Sequence, residues 1–189
     1  ILISSRHIDE ITKINRSTVN IIWRLGGKNN MFTMYNDTIR FSHQHDIRRL
    51  ANGNITLFDN GNFRFPEYSR AVEYSLDETN FTATLVWQFQ REPQVVSSWG
   101  GNAQRLENGN TFISWGAASN TVTEVKPDGT IVFEASYIPG IYTYRGFKSS
   151  WPHIPTAIEP VNNSAGTFSL MQNYPNPFNP VTKISFNLE

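Results

Sequence analysis

Two of the four histidines of this chain, His43 and His45, stand two residues apart in FSHQHDIRRLANGNITLFDNG (41–61), just ahead of an Asn-Gly turn signal. Residues two apart on a strand face the same side, so the pair presents two imidazoles together. A neutral imidazole near pH 7 is both a nucleophile and a leaving group. Arginine supplies the complementary function, a planar fork that gives two parallel hydrogen bonds to an oxyanion. Arg70 lies in YSRAVEY, and Arg6 and His7 lie together in SSRH. Such a set suits chemistry on an anionic ester, whose oxygens must be held while an acceptor loses a proton to a base.

Each of these residues has a plainer reading. His45 can be a strand-start histidine bonded to Asp46, and His43 a solvated loop residue. Arg6 with His7 can be a solvated pair, and Arg70 can be salt-bridged to Asp59. Asp59-Asn60-Gly61 reads as a turn rather than a ligand set, and His153 as structural. His-x-His beside an aspartate is also a zinc pattern, but the chemistry above needs no metal. No loop has the dense alternating carboxylates of a calcium site.

The composition narrows the partners. The 189 residues carry 16 basic and 16 acidic side chains, which gives no nucleic-acid footprint and no basic membrane-binding stripe. Without cysteine there is no disulfide, thiolate nucleophile or cysteine metal site. No apolar run approaches the roughly 18 residues of a membrane span. The opening ILISS and the closing ISFNLE both read as cut ends, so a fragment of a longer chain is expected.

An internal repeat organises the elements. RLANGNITLFDNG (49–61) returns as RLENGNTFISWGA (105–117), and each copy is followed by a second hairpin, at 70–89 and 120–135. The first 25 residues match the later part of the same unit. Four-stranded units at this spacing predict an all-β fold, a partial β-propeller with about two and a half four-stranded blades over residues 1–151. Strands are expected at about 44–50, 54–59, 70–76 and 82–89, and again at 102–107, 110–115, 120–126 and 130–135. The Asn-Gly pairs at 52–53 and 108–109 are expected to make tight turns in which both residues tolerate φ > 0. Antiparallel order then puts the start of the first strand, the end of the second and the start of the third on one face. His43, His45, Asp59, Asn60 and Arg70 meet there, as do Asn102, Trp115 and Asn120 of the next unit and Arg6 and His7 of the first. Trp23, Trp87 and Phe133 close the outer strands as core residues, and Trp115 reads as core more than as a stacking platform.

After about residue 147 the period is lost. Residues 152–167 read as a linker. Residues 168–189 read as the start of a second small β module of which one strand is present.

IIWRLGG (21–27), QHDIRRLANGNITLFDNG (44–61) and YSRAVEYSLD (68–77) together resemble the arylsulfotransferase family. The resemblance spans residues 1–151 and implies a secreted or periplasmic β-propeller. It implies transfer of a sulfuryl group from a phenyl sulfate to a phenol, without a nucleotide donor and through a transiently sulfated histidine. His45 and Arg70 are then the expected catalytic residues. Arg6, His7, His43, Asn60 and Asn102 are expected at the substrate, with neither cofactor nor metal. The family places a histidine in a later blade, where this chain has SSWGGNAQRL (97–106) and none. The fragment alone is expected to be inactive.

Separately, LMQNYPNPFNPVTKISFNL (170–188) resembles the start of the sorting domain of type IX secretion, which implies a small β-sandwich and export through that machinery to the cell surface or medium. The competing reading is a non-catalytic secreted propeller that binds an aromatic, sulfated or glycan ligand.

Overall fold

The computed structural model describes residues 1–118, 121–138, 140–150, 168–174, 176 and 181–188. The chain divides into two units, Ile1–Lys148 and Ser149–Glu189.

The first unit contains three sheets, antiparallel apart from one parallel edge strand in the second. The first contains β1 (Leu2–Ser5), β2 (Glu10–Ile14) and β3 (Ile21–Gly26) in that order. The second contains β4 (Thr33–Tyr35), β5 (His45–Arg49), β6 (Ile55–Asp59), β7 (Arg70–Asp77) and β8 (Thr82–Gln90), in the order β4-β8-β7-β6-β5. The third contains β9 (Asn102–Arg105), β10 (Thr111–Ser114), β11 (Thr121–Val125) and β12 (Ile131–Ser136), in chain order. The strands fall where the repeat puts them. β4 was not expected: it runs parallel to the outer strand β8, Thr33 opposite Thr82. Neighbouring Phe32 anchors it edge-on against Trp23 and Phe81.

The repeated turns are alike, and they differ from the expectation in one respect. Leu50 and Asn54 pair across a three-residue loop in which Gly53 alone takes a positive φ. Asn52 instead accepts the Asn54 N–H through its side chain. The same bonds recur at Asn108-Gly109 and Asp128-Gly129. This is the longer hairpin loop that ends in a left-handed glycine, so the asparagine works as a side-chain acceptor rather than as a left-handed residue.

Alternation along β6 and β7 builds two cores. Leu57 and Val72 join Ile11, Trp23 and Leu25 of the first sheet. Phe58 and Ala71 pack with Ala103, Ile113, Trp115 and Val125 of the third. Trp115 is core, its indole N–H donating to Thr123. Trp87 is half-buried beside that core, with its indole on Pro127 O. Phe133 departs from expectation: it is 47% exposed, on the face of the third sheet opposite the second.

In the second unit, β13 (Phe168–Leu170) and β14 (Phe186–Leu188) pair antiparallel, and Tyr174 bridges to Lys183. One strand was expected in this segment; a hairpin is present, because the residues before the Asn-Pro run fold back onto those after it.

Candidate functional site

The expected face exists as a rim where β5 begins, β6 ends and β7 begins. His45 pairs with Phe58, and Asp59 pairs with Arg70. A β-bulge separates His45 from Arg48, and Asp46 sits in it at φ 56°. The bulge inserts a residue that the third sheet lacks, where Asn102 pairs directly with Ser114. Bulges of this kind re-aim a side chain, and aspartate tolerates the left-handed backbone.

His45 is buried, 7% exposed. Asn60 settles its tautomer. The Asn60 amide nitrogen donates to Ser97 O and Gly100 O, so its Oδ1, 2.7 Å from His45 Nδ1, must accept. Nδ1 therefore carries the proton and Nε2 the lone pair, which takes the Gly100 N–H at 3.3 Å. Burial pushes the imidazole below the ordinary histidine value, and Arg6 and Arg145 act in the same direction; the Asn60 bond opposes them. The ring is neutral at pH 7. Asn60, expected at the substrate, is fully buried and instead orients His45.

Arg70 is not a free anion clamp. It is 1% exposed, and each guanidinium nitrogen donates within the fold. Nε reaches Asp59 at 2.8 Å, Nη1 reaches Gln88 at 2.7 Å, and Nη2 reaches Asp37 at 2.9 Å. Asp59 also takes Arg64 and the Ser42 N–H. Asp37 takes the Arg40 N–H and the Tyr74 hydroxyl. Burial and the neighbouring Asp37 carboxylate push the Tyr74 hydroxyl well above its ordinary value, so it stays protonated and donates. The salt bridge to Asp59 is thus what the structure shows. Arg70 pins the loop that carries His43 to the second sheet, a structural role in place of the expected catalytic one.

Asn102 is also turned inward: it is fully buried, and its amide pairs at both ends with the Gly146 backbone, at 2.7 and 2.8 Å.

The other three expected residues stay together near the surface. Arg6 and His7 lie on the 3-10 turn Arg6–Ile8 that follows β1. Arg6 contacts His7 Nε2 at 3.1 Å and donates to Ser98 O at 2.7 Å. His43 packs its ring 5.9 Å from His7 and 4.5 Å from Phe63. Its Nδ1 is buried without a partner among the described residues. Burial, then Arg6, lower its affinity for a proton. His43 has φ 52°, and its N–H is held by Asp9.

The segment 97–101, which lacks the expected later histidine, ties the rim together. It accepts from Arg6 and Asn62 at Ser98, accepts from Asn60 at Ser97 and Gly100, and donates to His45. Exposed aromatics that the sequence reading missed border it. Trp99 lies 6.1 Å from Tyr142, and Tyr144 meets the His45 ring edge-on at 5.8 Å. No periodic pattern marks 140–148. Among the described residues no three His, Asp or Glu side chains converge as a metal site requires. His153 and Asn120 lie outside the described residues.

Sheets of three, five and four strands built on a repeated antiparallel unit, with a neutral, oriented histidine and partly exposed arginines on one rim, define a class: an all-β repeat protein. The chain belongs to the arylsulfotransferase (ASST) family, whose model matches residues 1–138. It is similar to the arylsulfate sulfotransferase AssT of Lelliottia amnigena, 39% identical over 66 residues, which is 30% of this chain and 11% of that protein. The chain thus matches only a small part of that relative's length.

Proposed function

We propose that this chain forms part of a secreted β-propeller that moves a sulfuryl group from a phenolic sulfate ester to a phenol, with His45 as the group that carries it. The observation behind this reading is the Asn60 bond, which leaves the lone pair on Nε2 of a neutral imidazole. Nε2 attacks sulfur and the bond to the aryl oxygen breaks, releasing a phenolate that takes up a proton. The charge gained by the ring is stabilised through Nδ1–H to Asn60 Oδ1, a bond that strengthens as the ring becomes cationic. An acceptor phenol, losing its proton to a neighbouring base, then displaces the imidazole from sulfur. Arg6, His7 and His43 hold the ester's oxygens, and His43, neutral and unpartnered at Nδ1, is the base. The Asn-Tyr-Pro-Asn-Pro run supports export through the type IX pathway.

A second reading has its own observation. Gly100 N–H covers Nε2. If that contact never opens, the rim binds anionic aryl ligands without turnover. Incubation of the full-length protein with 4-nitrophenyl sulfate, with and without phenol, separates the two. Phenol-dependent nitrophenol release that disappears in His45→Ala supports transfer. Release that survives the substitution removes His45 from the role, and binding without release supports the second reading.

A further inference from the structure

The segment Tyr144–Lys148 belongs to no named strand, yet its contacts have a register. Glu73 of β7 takes Asn54 on Oε1 and Arg105 on Oε2, where Arg105 ends the inner strand of the next sheet. Glu124 of β11 takes Asn110 on Oε1 at 2.7 Å and Lys148 on Oε2 at 2.6 Å. Asn54 and Asn110 hold the same place after their turns, and Glu73 and Glu124 the same place in their sheets, opposite Thr56 and Phe112. Lys148 therefore stands to the third sheet as Arg105 stands to the second.

The backbone agrees. Gly101 N donates to Tyr144 O, Asn102 pairs with Gly146, and Gln104 pairs with Lys148 through both ends of its amide. Partners advance together along the two segments, and from Asn102·Gly146 to Gln104·Lys148 each segment moves by two residues, as on an extended strand. A Cβ at 146 would come within 3.3 Å of Ser114 and Val122, so glycine eases this close approach. Tyr144–Lys148 occupies the place of the next inner strand. Counting back from Lys148 as from Arg105, Arg145 falls where Asn102 falls in the third sheet and His45 in the second.

Arg145 is unlike Arg70. Its side chain is 39% exposed, and its guanidinium lies 5.2 Å over the Tyr144 ring, itself against His45. Its one carboxylate contact among the described residues is Asp46, at 3.6 Å. Arg48 already holds Asp46 through two bonds, at 2.8 and 3.1 Å, so Arg145 keeps donors to offer.

We propose that Arg145 binds the negative charge of the sulfate ester at this rim, brought beside His45 by an inner strand that repeats the register of β5 and β9. This rests on the sulfuryl-transfer reading and adds to it a residue that lies outside the family match, 1–138.

The test measures binding of 4-nitrophenyl sulfate and of neutral 4-nitrophenol by ligand-observed NMR, for the whole chain, Arg145→Gln and Arg145→Lys, at low and high salt. Arg145→Gln is expected to weaken the sulfate ester about tenfold, the worth of one charge-assisted hydrogen bond, and to leave the phenol unchanged. Its salt dependence should flatten, Arg145→Lys should recover part of the loss, and the melting temperature should stay put. Equal binding by Arg145→Gln overturns the proposal, as does equal loss of both ligands with a lowered melting temperature, which marks a structural role. If the unsubstituted chain binds no aryl sulfate, sulfuryl transfer fails and this proposal fails with it. If the chain binds and only Arg145→Gln is indifferent, this proposal alone fails.

Discussion

Arg70 and Arg145 stand near one rim, paired to Asp59 and Asp46, and meet opposite fates. Arg70 enters at the start of β7 and is surrounded by Asp59, Asp37, Gln88 and the Arg40 carbonyl. Arg145 enters on an extended segment, shares one aspartate with Arg48 and stays open. The inner region holds two arginines against two aspartates and is balanced; the outer region, with Arg6 and Arg145, carries cations with spare donors. Burial divides residues of one type into scaffold and site. A buried charge must be matched completely to be tolerated, so a fully matched arginine has nothing left for a ligand.

The sharpest way to break this contrast is Arg70→Met. It leaves Asp37 buried without a cation and Asp59 with Arg64 alone, and should cost about 3–5 kcal/mol, read as a lower urea midpoint. A loss near that of a surface substitution would show that the network does not hold the rim. Asn60→Ala comes next. It leaves His45 Nδ1 and two carbonyls unpaired and should cost about 1–3 kcal/mol. The His45 ring nitrogen shifts should then show a mixture of tautomers, and an unchanged single tautomer would mean that Gly100 alone sets it.

A smaller effect is pH dependence. His45 is depressed in the folded chain by burial, then by Arg6 and Arg145, from an ordinary 6.5. The unfolded state thus binds more protons below that value. Stability should be level above about pH 6.5 and fall as the pH drops toward the lower folded value. His43, depressed in the same direction, adds to the slope. His45→Gln should flatten part of it in urea titrations between the two limits, and an unaltered slope would assign the titration elsewhere. The smallest change in stability is expected for Arg6→Gln, within about 0.5 kcal/mol as for exposed positions. Aryl sulfate affinity should nevertheless fall by titration, and full affinity would remove Arg6 from the anion site.

The hairpins β5–β6, β9–β10 and β11–β12 were readable because each turns on a left-handed glycine, at Gly53, Gly109 and Gly129. The meeting of His45, Asn60 and Arg70 at one rim followed from antiparallel order alone. Their individual duties did not follow. Asn60 and Asn102 looked like ligands but spend their amides on His45 and Gly146, through contacts formed far along the chain. Tyr144–Lys148 carried no periodic signal because most of its bonds are to side-chain amides on β9 rather than to a backbone ladder. β4 is three residues long and pairs in parallel, too short to show alternation.

The sequence by itself determined the all-β repeat, the hairpin loops and the rim at which the polar residues gather, because hydrophobic alternation and turn chemistry act over neighbouring residues. Only the tertiary structure decided which of those residues are scaffold. Asp37 reaches Arg70 across 33 residues and Lys148 reaches Glu124 across 24. Whether a cation is spent or free depends on which distant carboxylate packing brings to it.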